Sequence, residues 1–323
     1  MSDYLLYMLP AVLGGYALSS LLLLKKPLLL HSKKNFPPVR LIAHRGGAGE
    51  GIENTLDNYK RSLSSGCQML ELDVHLTKDQ QVVVVHDNSL LRLTGKSLLA
   101  TEIAYADLPT IQDKIWIDFQ PGEFYDAAHE SDRKLPLLDS VLEQFKQAQI
   151  NIDIKDKSQQ LVDEVDTIIS RHNSQGRCVW GSFSGETTDM CYKKNPDIGL
   201  LFSAPRILVL LLLFYTGLLP FFPLRETHLE IPMPSIFLSE KYQIKGNTVG
   251  LAKLPHWLLI LCDYVLMSPV LFKHLEQRGI STYLWVLNSQ DEYSRAMDLG
   301  ATGIMTDYPS KLKAFVDQRC KID

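Results

Sequence analysis

The chain has 323 residues, 46% of them hydrophobic and 22% charged, so it can bury a substantial core in one large domain or two small ones. Its formal net charge of −4 argues against a nucleic-acid partner, because binding to phosphate backbones needs a basic surface. The five cysteines form no Cys-x-x-Cys pair, which favours free thiols over a disulfide framework or a zinc site. They are Cys67, Cys178, Cys191, Cys262 and Cys320.

The first predicted element is a transmembrane anchor over residues 1–26. Tyr4 to Leu24 carries no charge, and as a helix it matches a hydrocarbon core of about 30 Å. A cleaved signal peptide would have basic residues before a shorter apolar region, whereas Asp3 precedes this run. His31 to Pro38 is polar and contains proline, which predicts that residues 27–38 link the anchor to the folded domain. Lysines at 25, 26, 33 and 34 favour a cytosolic position for that domain.

Polar side chains follow the first predicted strand, Val39 to Ala43. The strand is apolar throughout, which is typical of a buried strand, and it ends in His44 and Arg45. After a glycine-rich turn, Glu53-Asn54-Thr55 begins a helix that ends at Gly66. This order places His44 and Arg45 at the carboxyl end of a strand. Asn54 and Thr55 can be simple helix caps. Glu53 can contact the site residues and hold them in position.

The second predicted strand, Met69 to Val74, places two carboxylates on one face. Glu71 and Asp73 are two residues apart, and strand residues with that spacing project on the same side. Such a pair predicts a cation site.

A hairpin is predicted to follow this strand. The link from Asp73 to the apolar run Val82 to Val85 is too short for a parallel crossover, so the return strand should be antiparallel. If the turn is centred on Lys78-Asp79, His86 lies opposite Glu71. A histidine is then placed beside the carboxylate pair.

These motifs together resemble the glycerophosphodiester phosphodiesterase family. The resemblance continues in Asn151 to Lys155, Trp285 to Asn288 and Gly303 to Pro309, and spans about Val39 to Lys313. The apolar N-terminus and the run Ile207 to Leu224 also resemble its membrane-bound subgroup, which acts as lysophospholipase D. The motifs are His44-Arg45-Gly46-Gly47, Gly49-Glu50, Glu53-Asn54-Thr55, Glu71-x-Asp73, Thr77-Lys78-Asp79 and His86-Asp87.

The second half of the chain alternates predicted strands and helices, as parallel α/β folds do. Without the return strand of the hairpin, eight parallel strands are predicted, which suits an α/β fold of the (β/α)8 TIM-barrel type over residues 39–320. Residues 88–135 lack periodicity and predict a small lobe inserted over the barrel mouth. The helix after this lobe is predicted at Leu137 to Gln149, followed by a strand from Ile150 to Lys155.

Seven polar residues are predicted at the carboxyl ends of the strands, where active sites of such barrels lie. Glu71, Asp73 and Asp153 are the expected ligands of one divalent cation, because carboxylate oxygens suit Ca²⁺ or Mg²⁺. Asp153 is shorter than the glutamate that the resemblance implies at that place. Lys155 shares a strand face with Asp153 and supplies a cation for phosphate.

The catalytic residues are expected to be His44, His86, Arg45 and Lys155. The two histidines can act as general base and general acid, since imidazole has an ordinary pKa of about 6.5. Arg45 and Lys155 can stabilise charge on the non-bridging phosphate oxygens. The resemblance implies the same roles, and a route in which a neighbouring glycerol hydroxyl attacks phosphorus before water opens a cyclic phosphate.

The apolar run Ile207 to Leu224 lies between two predicted barrel strands, so a membrane span there would break the barrel. Gly217, Pro220 and Pro223 interrupt the run, which favours a segment that dips into the bilayer near the barrel mouth. Leu254 to Met267 can join it. The alternative is a buried barrel helix, although such helices are normally apolar on one face only.

An apolar segment beside a phosphodiesterase site favours a lysophospholipid substrate. The predicted function is a metal-dependent lysophospholipase D, which converts lysophosphatidylcholine or lysophosphatidylethanolamine to lysophosphatidic acid and the headgroup alcohol, on the endoplasmic reticulum or another intracellular membrane. One alternative is a glycerophosphodiester phosphodiesterase acting on water-soluble, deacylated substrates. Another is a membrane-tethered lipid-binding barrel without catalysis, although every expected acid, base and ligand is present. No protein partner is predicted.

Overall fold

Strands and helices alternate along most of the chain in the computed structural model, which describes residues 2–118, 120, 122–239, 242 and 253–319. The strands are β1 (Leu41–Ala43), β2 (Met69–Leu76), β3 (Val82–Val84), β4 (Lys114–Trp116), β5 (Phe124–Asp126), β6 (Gln149–Ile154), β7 (Cys178–Gly181), β8 (Gly199–Leu200), β9 (His228–Pro232), β10 (Ser281–Trp285) and β11 (Gly303–Thr306). The helices are α1 (Ser2–Lys25), α2 (Leu56–Ser64), α3 (Leu91–Thr94), α4 (Leu138–Gln144), α5 (Gln159–Arg171), α6 (Gly185–Lys194), α7 (Ala204–Tyr215), α8 (His256–Leu266), α9 (Pro269–Gln277), α10 (Gln290–Asp298) and α11 (Pro309–Arg319).

Parallel strands form a barrel in the order β8-β7-β6-β2-β1-β11-β10-β9. A parallel bridge between Leu201 and His228 joins the two ends of this path and nearly closes the barrel. The predicted (β/α)8 barrel is therefore confirmed. The strands are buried on both faces, as a parallel sheet covered by helices requires, and β2 is buried over almost its whole length.

The barrel interior is filled by apolar side chains that point inward from alternate positions of the strands. At the amino-terminal end of the barrel, Phe36 packs edge-on against His228, with ring centroids 4.6 Å apart. At the carboxyl end, Trp285 is partly buried against the same cluster. Apolar side chains therefore fill the lumen, and the polar site lies at its carboxyl end. The inner cluster comprises Val39, Ile42, Met69, Val179, Leu201, Tyr283 and Met305.

The N-terminal helix α1 lies against the segment that follows α7. The Ser20 hydroxyl donates to the Gly217 carbonyl at 2.7 Å, and the Tyr16 ring stacks on Phe221 with centroids 6.0 Å apart. Lys34, in the predicted linker, donates its backbone N–H to the Arg278 carbonyl at 2.9 Å. The chain between α1 and the barrel is thus held against the barrel's amino-terminal end.

The hairpin β2–β3 is antiparallel, as predicted, but its predicted register is wrong by one residue. Val74 pairs with Val84, and the backbone N–H of Val85 donates to the Asp73 carbonyl at 2.9 Å. The expectation that His86 faces Glu71 assumed a two-residue turn. Instead the Thr77 N–H donates to Gln81, which encloses a three-residue loop with Gln80 at a φ of 67°.

One predicted helix is shorter in the structure than the sequence indicated. The helix predicted over Leu137 to Gln149 ends at Gln144, because Gln149 already pairs with Met69 as the first residue of β6. The four described cysteines are free thiols, as expected. Cys320, with the predicted end of the barrel at residue 320, lies outside the described residues.

Residues 88–135 pack over the hairpin with a small core of their own. Leu90, Leu93, Ile111 and Ile115 from this lobe are buried against Val83 and Val85 of the hairpin strand, together with Ile52, Ala100, Ala127 and Leu135. The short ribbon β4–β5 belongs to the lobe. This packing fixes the lobe beside the carboxyl end of β2.

In the part of the chain that the structure describes, two segments are long and apolar enough to cross a membrane, Tyr7–Lys25 and His256–Gln277. The second is one-third buried and is divided between α8 and α9. The shorter helix α7 buries Leu210 against the barrel but leaves Leu208 and Leu212 exposed. Apolar side chains are thus open to the surroundings on α1, α7 and α8.

Candidate active site

An acidic cluster forms where β2 and β6 end, because Asp73 and Asp153 are direct partners in the parallel register. The Lys155 ammonium lies between them, 2.8 Å from Asp73 Oδ1 and 2.5 Å from Asp153 Oδ2. Glu71, two residues before Asp73, accepts the backbone N–H of Arg45 at 2.8 Å. The structure therefore brings together the predicted residues on β1, β2 and β6.

The carboxylates of this cluster repel one another. Burial opposes ionisation of Asp73, but Lys155, His86 and Arg45 outweigh it and hold its pKa well below the usual range. For Glu71, burial raises the pKa well above the usual range, and the carboxylates of Asp73 and Glu230 add to that effect. A divalent cation would relieve this repulsion, so the donor set fits the predicted metal.

Glu230 is a fourth carboxylate of the site, and sequence reasoning missed it. It lies on β9, and its Oε2 accepts a hydrogen bond from Asn151 Nδ2 at 2.6 Å. Burial raises the pKa of Glu230 to about 8, and Asp153 contributes to the increase. No motif marks Glu230 in the sequence, and only the closed barrel brings β9 to face β2.

His44 is held by two residues from the last part of the barrel. Its Nδ1 lies 2.7 Å from Asp307 Oδ1, and Asn288 Nδ2 donates to Asp307 Oδ2 at 2.9 Å. Because a carboxylate accepts the Nδ1 proton, Nε2 is the basic nitrogen of the ring. Asp307 and Asn288 therefore fix the orientation of the His44 ring, and both lie far from it in sequence.

Replacing Asp307 by asparagine is expected to lower kcat by about 10²-fold or more with little change in KM, because the amide can stabilise the wrong imidazole tautomer. Steady-state kinetics at fixed pH would measure the split. The matched control is Asp298→Asn, which removes an exposed carboxylate paired with Arg319. An unchanged kcat in Asp307→Asn would show that the pair has no role in orienting His44.

His86 is held through a network that reaches into the lobe. Its Nδ1 lies 2.7 Å from Asp87 Oδ1, and Asp87 Oδ2 lies 2.6 Å from Arg92 Nε. The other two guanidinium nitrogens of Arg92 each donate to Glu53 at 2.7 Å. Burial would raise the pKa of Glu53, but the charges of Arg92 and Arg45 outweigh it and lower that pKa to about 2.

Arg45 is buried among carboxylates at the centre of this network. Its Nη1 lies 2.9 Å from Asp118 and 3.3 Å from Glu53, and its Nε lies 3.6 Å from Asp73. Sequence reasoning missed Asp118 and Arg92 because both lie in the lobe, where no periodic pattern marked them. The lobe therefore contributes side chains to the site as well as covering it.

One group of three possible metal ligands stands out within the described ranges, because its donor atoms all lie within 4.8 Å of one another. The group is His86, Asp87 and Asp118. Arg92 contacts Asp87, and Arg45 contacts Asp118, so arginine already neutralises both carboxylates. By the spacing of its donor atoms, the group is still a candidate acidic metal site at the mouth, next to the cluster that the sequence predicted.

The comparison with known families decides which family this site belongs to. A model of the Glycerophosphoryl diester phosphodiesterase family matches residues 44–311, which contain every predicted site residue. The chain belongs to this family. The resemblance inferred from the motifs is therefore confirmed, and with it the prediction that this family member is a phosphodiesterase.

Relatives of this phosphodiesterase family member extend over its whole length. It is 46% identical over 318 residues to lysophospholipase D GDPD1 of Rattus norvegicus, which covers 98% of the chain and 99% of the relative. It is 34% identical over 319 residues to lysophospholipase D GDPD3 of Homo sapiens, covering 98% and 97%. The match includes the apolar N-terminal segment as well as the barrel.

Solved structures of phosphodiesterases share the fold at low identity. A phosphodiesterase of Oleispira antarctica, in complex with the product sn-glycerol-3-phosphate, superposes with a TM-score of 0.59 at 16% identity, covering 87% of this chain and 97% of that one. A putative glycerophosphoryl diester phosphodiesterase of Silicibacter pomeroyi gives 0.60 at 19%, covering 89% and 96%. These likenesses support the fold alone.

Proposed function

We propose that this protein is a metal-dependent lysophospholipase D. It hydrolyses lysophosphatidylcholine, lysophosphatidylethanolamine and related lipids on the headgroup side of phosphate, which releases lysophosphatidic acid and the headgroup alcohol. The observation that carries this proposal is the 46% identity, over 98% of the chain, to a protein named lysophospholipase D. The exposed apolar helices beside the barrel support a lipid substrate in preference to a water-soluble one.

Glu71, Asp73 and Asp153 would hold the divalent cation, Ca²⁺ or Mg²⁺. When bound, the cation supplies Lewis-acid polarisation of the phosphodiester and neutralises part of its charge. Lys155 and Arg45 border the acidic cluster, and they would stabilise the negative charge that develops on the non-bridging oxygens. The excess of carboxylates around Glu71 supports this assignment.

The two histidines, His44 and His86, would transfer the protons. His44 Nε2 would accept the proton of the glycerol hydroxyl as its oxygen bonds to phosphorus, while His86 would give a proton to the departing headgroup oxygen. In the second step water adds to the cyclic phosphate, the roles reverse, and the glycerol hydroxyl is restored. Both imidazoles are bound at Nδ1 by a carboxylate, which supports their use as a pair.

The order of segments along the chain suits a membrane-bound enzyme. Residues 1–26 would form the anchor, residues 27–38 the link, and residues 39–320 the barrel with its insertion at 88–135. The apolar segment 207–224 would lie at the bilayer surface, since Leu208 and Leu212 are exposed and their helix ends at the residues that contact α1. The catalytic domain would face the cytosol on an intracellular membrane.

The proposal is tested with detergent-solubilised full-length protein and three substrates, namely lysophosphatidylcholine, glycerophosphocholine and diacyl phosphatidylcholine. Each is assayed for choline release with Ca²⁺, Mg²⁺ or a chelator. We expect release from the lysolipid that depends on a metal ion, and little from the diacyl lipid, which lacks the free hydroxyl needed for internal attack.

Two variants control this assay. His44→Ala should abolish release, whereas His129→Ala, which removes an exposed histidine of the lobe, should leave it unchanged. Release from glycerophosphocholine alone would refute the lipid substrate while keeping the phosphodiesterase site. Efficient turnover of the diacyl lipid would refute internal attack by the glycerol hydroxyl.

A further inference from the structure

The two sides of the barrel mouth carry different sets of side chains. In the order of strands around the barrel, three strands separate β2 from β9 in either direction, so these two strands lie opposite each other. The hairpin and the lobe, with His86 and Arg92, lie on the β2 side. The opposite side, above β8 and β9, carries a pair of aromatic side chains.

This aromatic pair consists of Phe183 and Trp285. Phe183 follows the end of β7 and Trp285 ends β10, so the pair bridges the mouth above the two strands that lie between them. Their ring centroids are 5.9 Å apart at an interplanar angle of 88°, an edge-to-face contact. Trp285 is partly buried against the inner cluster, but Phe183 is 56% exposed.

Phe183 lies next to the first residue of α7. Its carbonyl accepts the backbone N–H of Ala204, the first residue of that helix, at 3.1 Å. Along α7, Leu208, Leu212 and Tyr215 are exposed, and their spacing of four and three residues places them in one stripe. The helix ends at the segment that contacts α1, so exposed apolar side chains extend from the mouth to the predicted anchor.

A cavity of about 720 Å³ lies on the other side of the mouth. Its lining includes His86, Asp87 and Arg92 beside Trp116, so it offers charged groups and an aromatic face to a headgroup. If His86 protonates the departing alcohol, the headgroup leaves on this side. The other end of the same substrate must then extend away from β2, towards Phe183.

We propose, on the basis of the proposed function, that Phe183, Trp285 and the exposed stripe of α7 form the binding site for the single acyl chain of the lysophospholipid. The chain lies over the aromatic pair and continues along Leu208 and Leu212. Phosphate occupies the acidic cluster, and the headgroup occupies the cavity beside His86. Phe183 is thus a specificity-determining residue that separates lysolipids from deacylated diesters.

The test compares short-chain and long-chain lysophosphatidylcholine, each below its micelle-forming concentration, with full-length protein. Phe183→Ala should lower kcat/KM roughly tenfold for the long chain and less than about twofold for the short chain, because only the long chain buries apolar area against the ring. Phe183→Leu, which keeps an apolar contact, should restore most of the loss.

A second variant tests the stripe without touching the mouth. Leu208→Gln should selectively lower kcat/KM for the long chain, whereas Val270→Gln, at a similarly exposed position on α9, should not. Equal losses on both chain lengths, or no loss on the long chain, would overturn the acyl-chain site. Absence of choline release from both substrates by the unaltered protein would instead overturn the proposed function, and this inference with it.

Discussion

Replacing His86 with alanine is expected to lower kcat for lysophosphatidylcholine about 10³-fold, the range that general acid catalysis supplies. Choline leaves as an alcohol of high pKa, so its oxygen must be protonated as the bond to phosphorus breaks. We propose His86 for that step because it lines the cavity beside the hairpin and its Nδ1 lies 2.7 Å from Asp87, which leaves Nε2 to carry the proton. Choline release under saturating substrate measures the effect.

A substrate with a better leaving group separates the two histidines. A lysolipid analogue that releases p-nitrophenol needs little protonation, so His86→Ala should lose only about tenfold on it, while His44→Ala should remain severely impaired on both substrates. The reverse pattern would exchange the two roles. Equal losses in both variants on both substrates would contradict any division of acid and base.

Replacing Glu71 with glutamine is expected to lower activity by about 10³-fold and to raise the metal concentration for half-maximal activity, because a metal ion supplies several kcal/mol of transition-state stabilisation. Burial raises the pKa of Glu71, and the nearby carboxylates of Asp73 and Glu230 raise it further. Removal of metal by a chelator should reduce the unaltered enzyme to the same low level.

Glu230→Gln is the matched control, since it replaces a second buried carboxyl group of the same cluster that lies outside the predicted ligand set. Titration calorimetry with Ca²⁺ and with Mg²⁺ gives affinities for each variant without relying on turnover. If Glu71→Gln binds metal as well as the unaltered protein and Glu230→Gln does not, Glu230 takes the place of Glu71 as ligand.

Much of the site was predictable because its residues lie close together in short periodic segments. Glu71 and Asp73 follow from the two-residue period of one strand, and Asp153 with Lys155 from the same rule on another. The contact of Lys155 with both Asp73 and Asp153 needed one further fact, that β2 and β6 are neighbours in register.

Other parts could not be predicted from local pattern. The bond between His44 and Asp307 joins the first and last strands of the barrel, and it exists only because the barrel closes through β1 and β11. Arg92 and Asp118 lie in the lobe, where neither helical nor strand periodicity marks a position. The hairpin register depended on one extra residue in a turn, which local propensity does not resolve.

The amino-acid sequence by itself determined the fold class, the family, the acidic pair, the two histidines and the apolar character of α1 and α7, because each depends on residue type and short spacing. Only the tertiary structure decided which groups surround each histidine, that Glu230 joins the acidic cluster, and that Phe183 meets Trp285 across the mouth. These are contacts between strands far apart in sequence. Their geometry arises from the closure of the barrel, which no local pattern encodes.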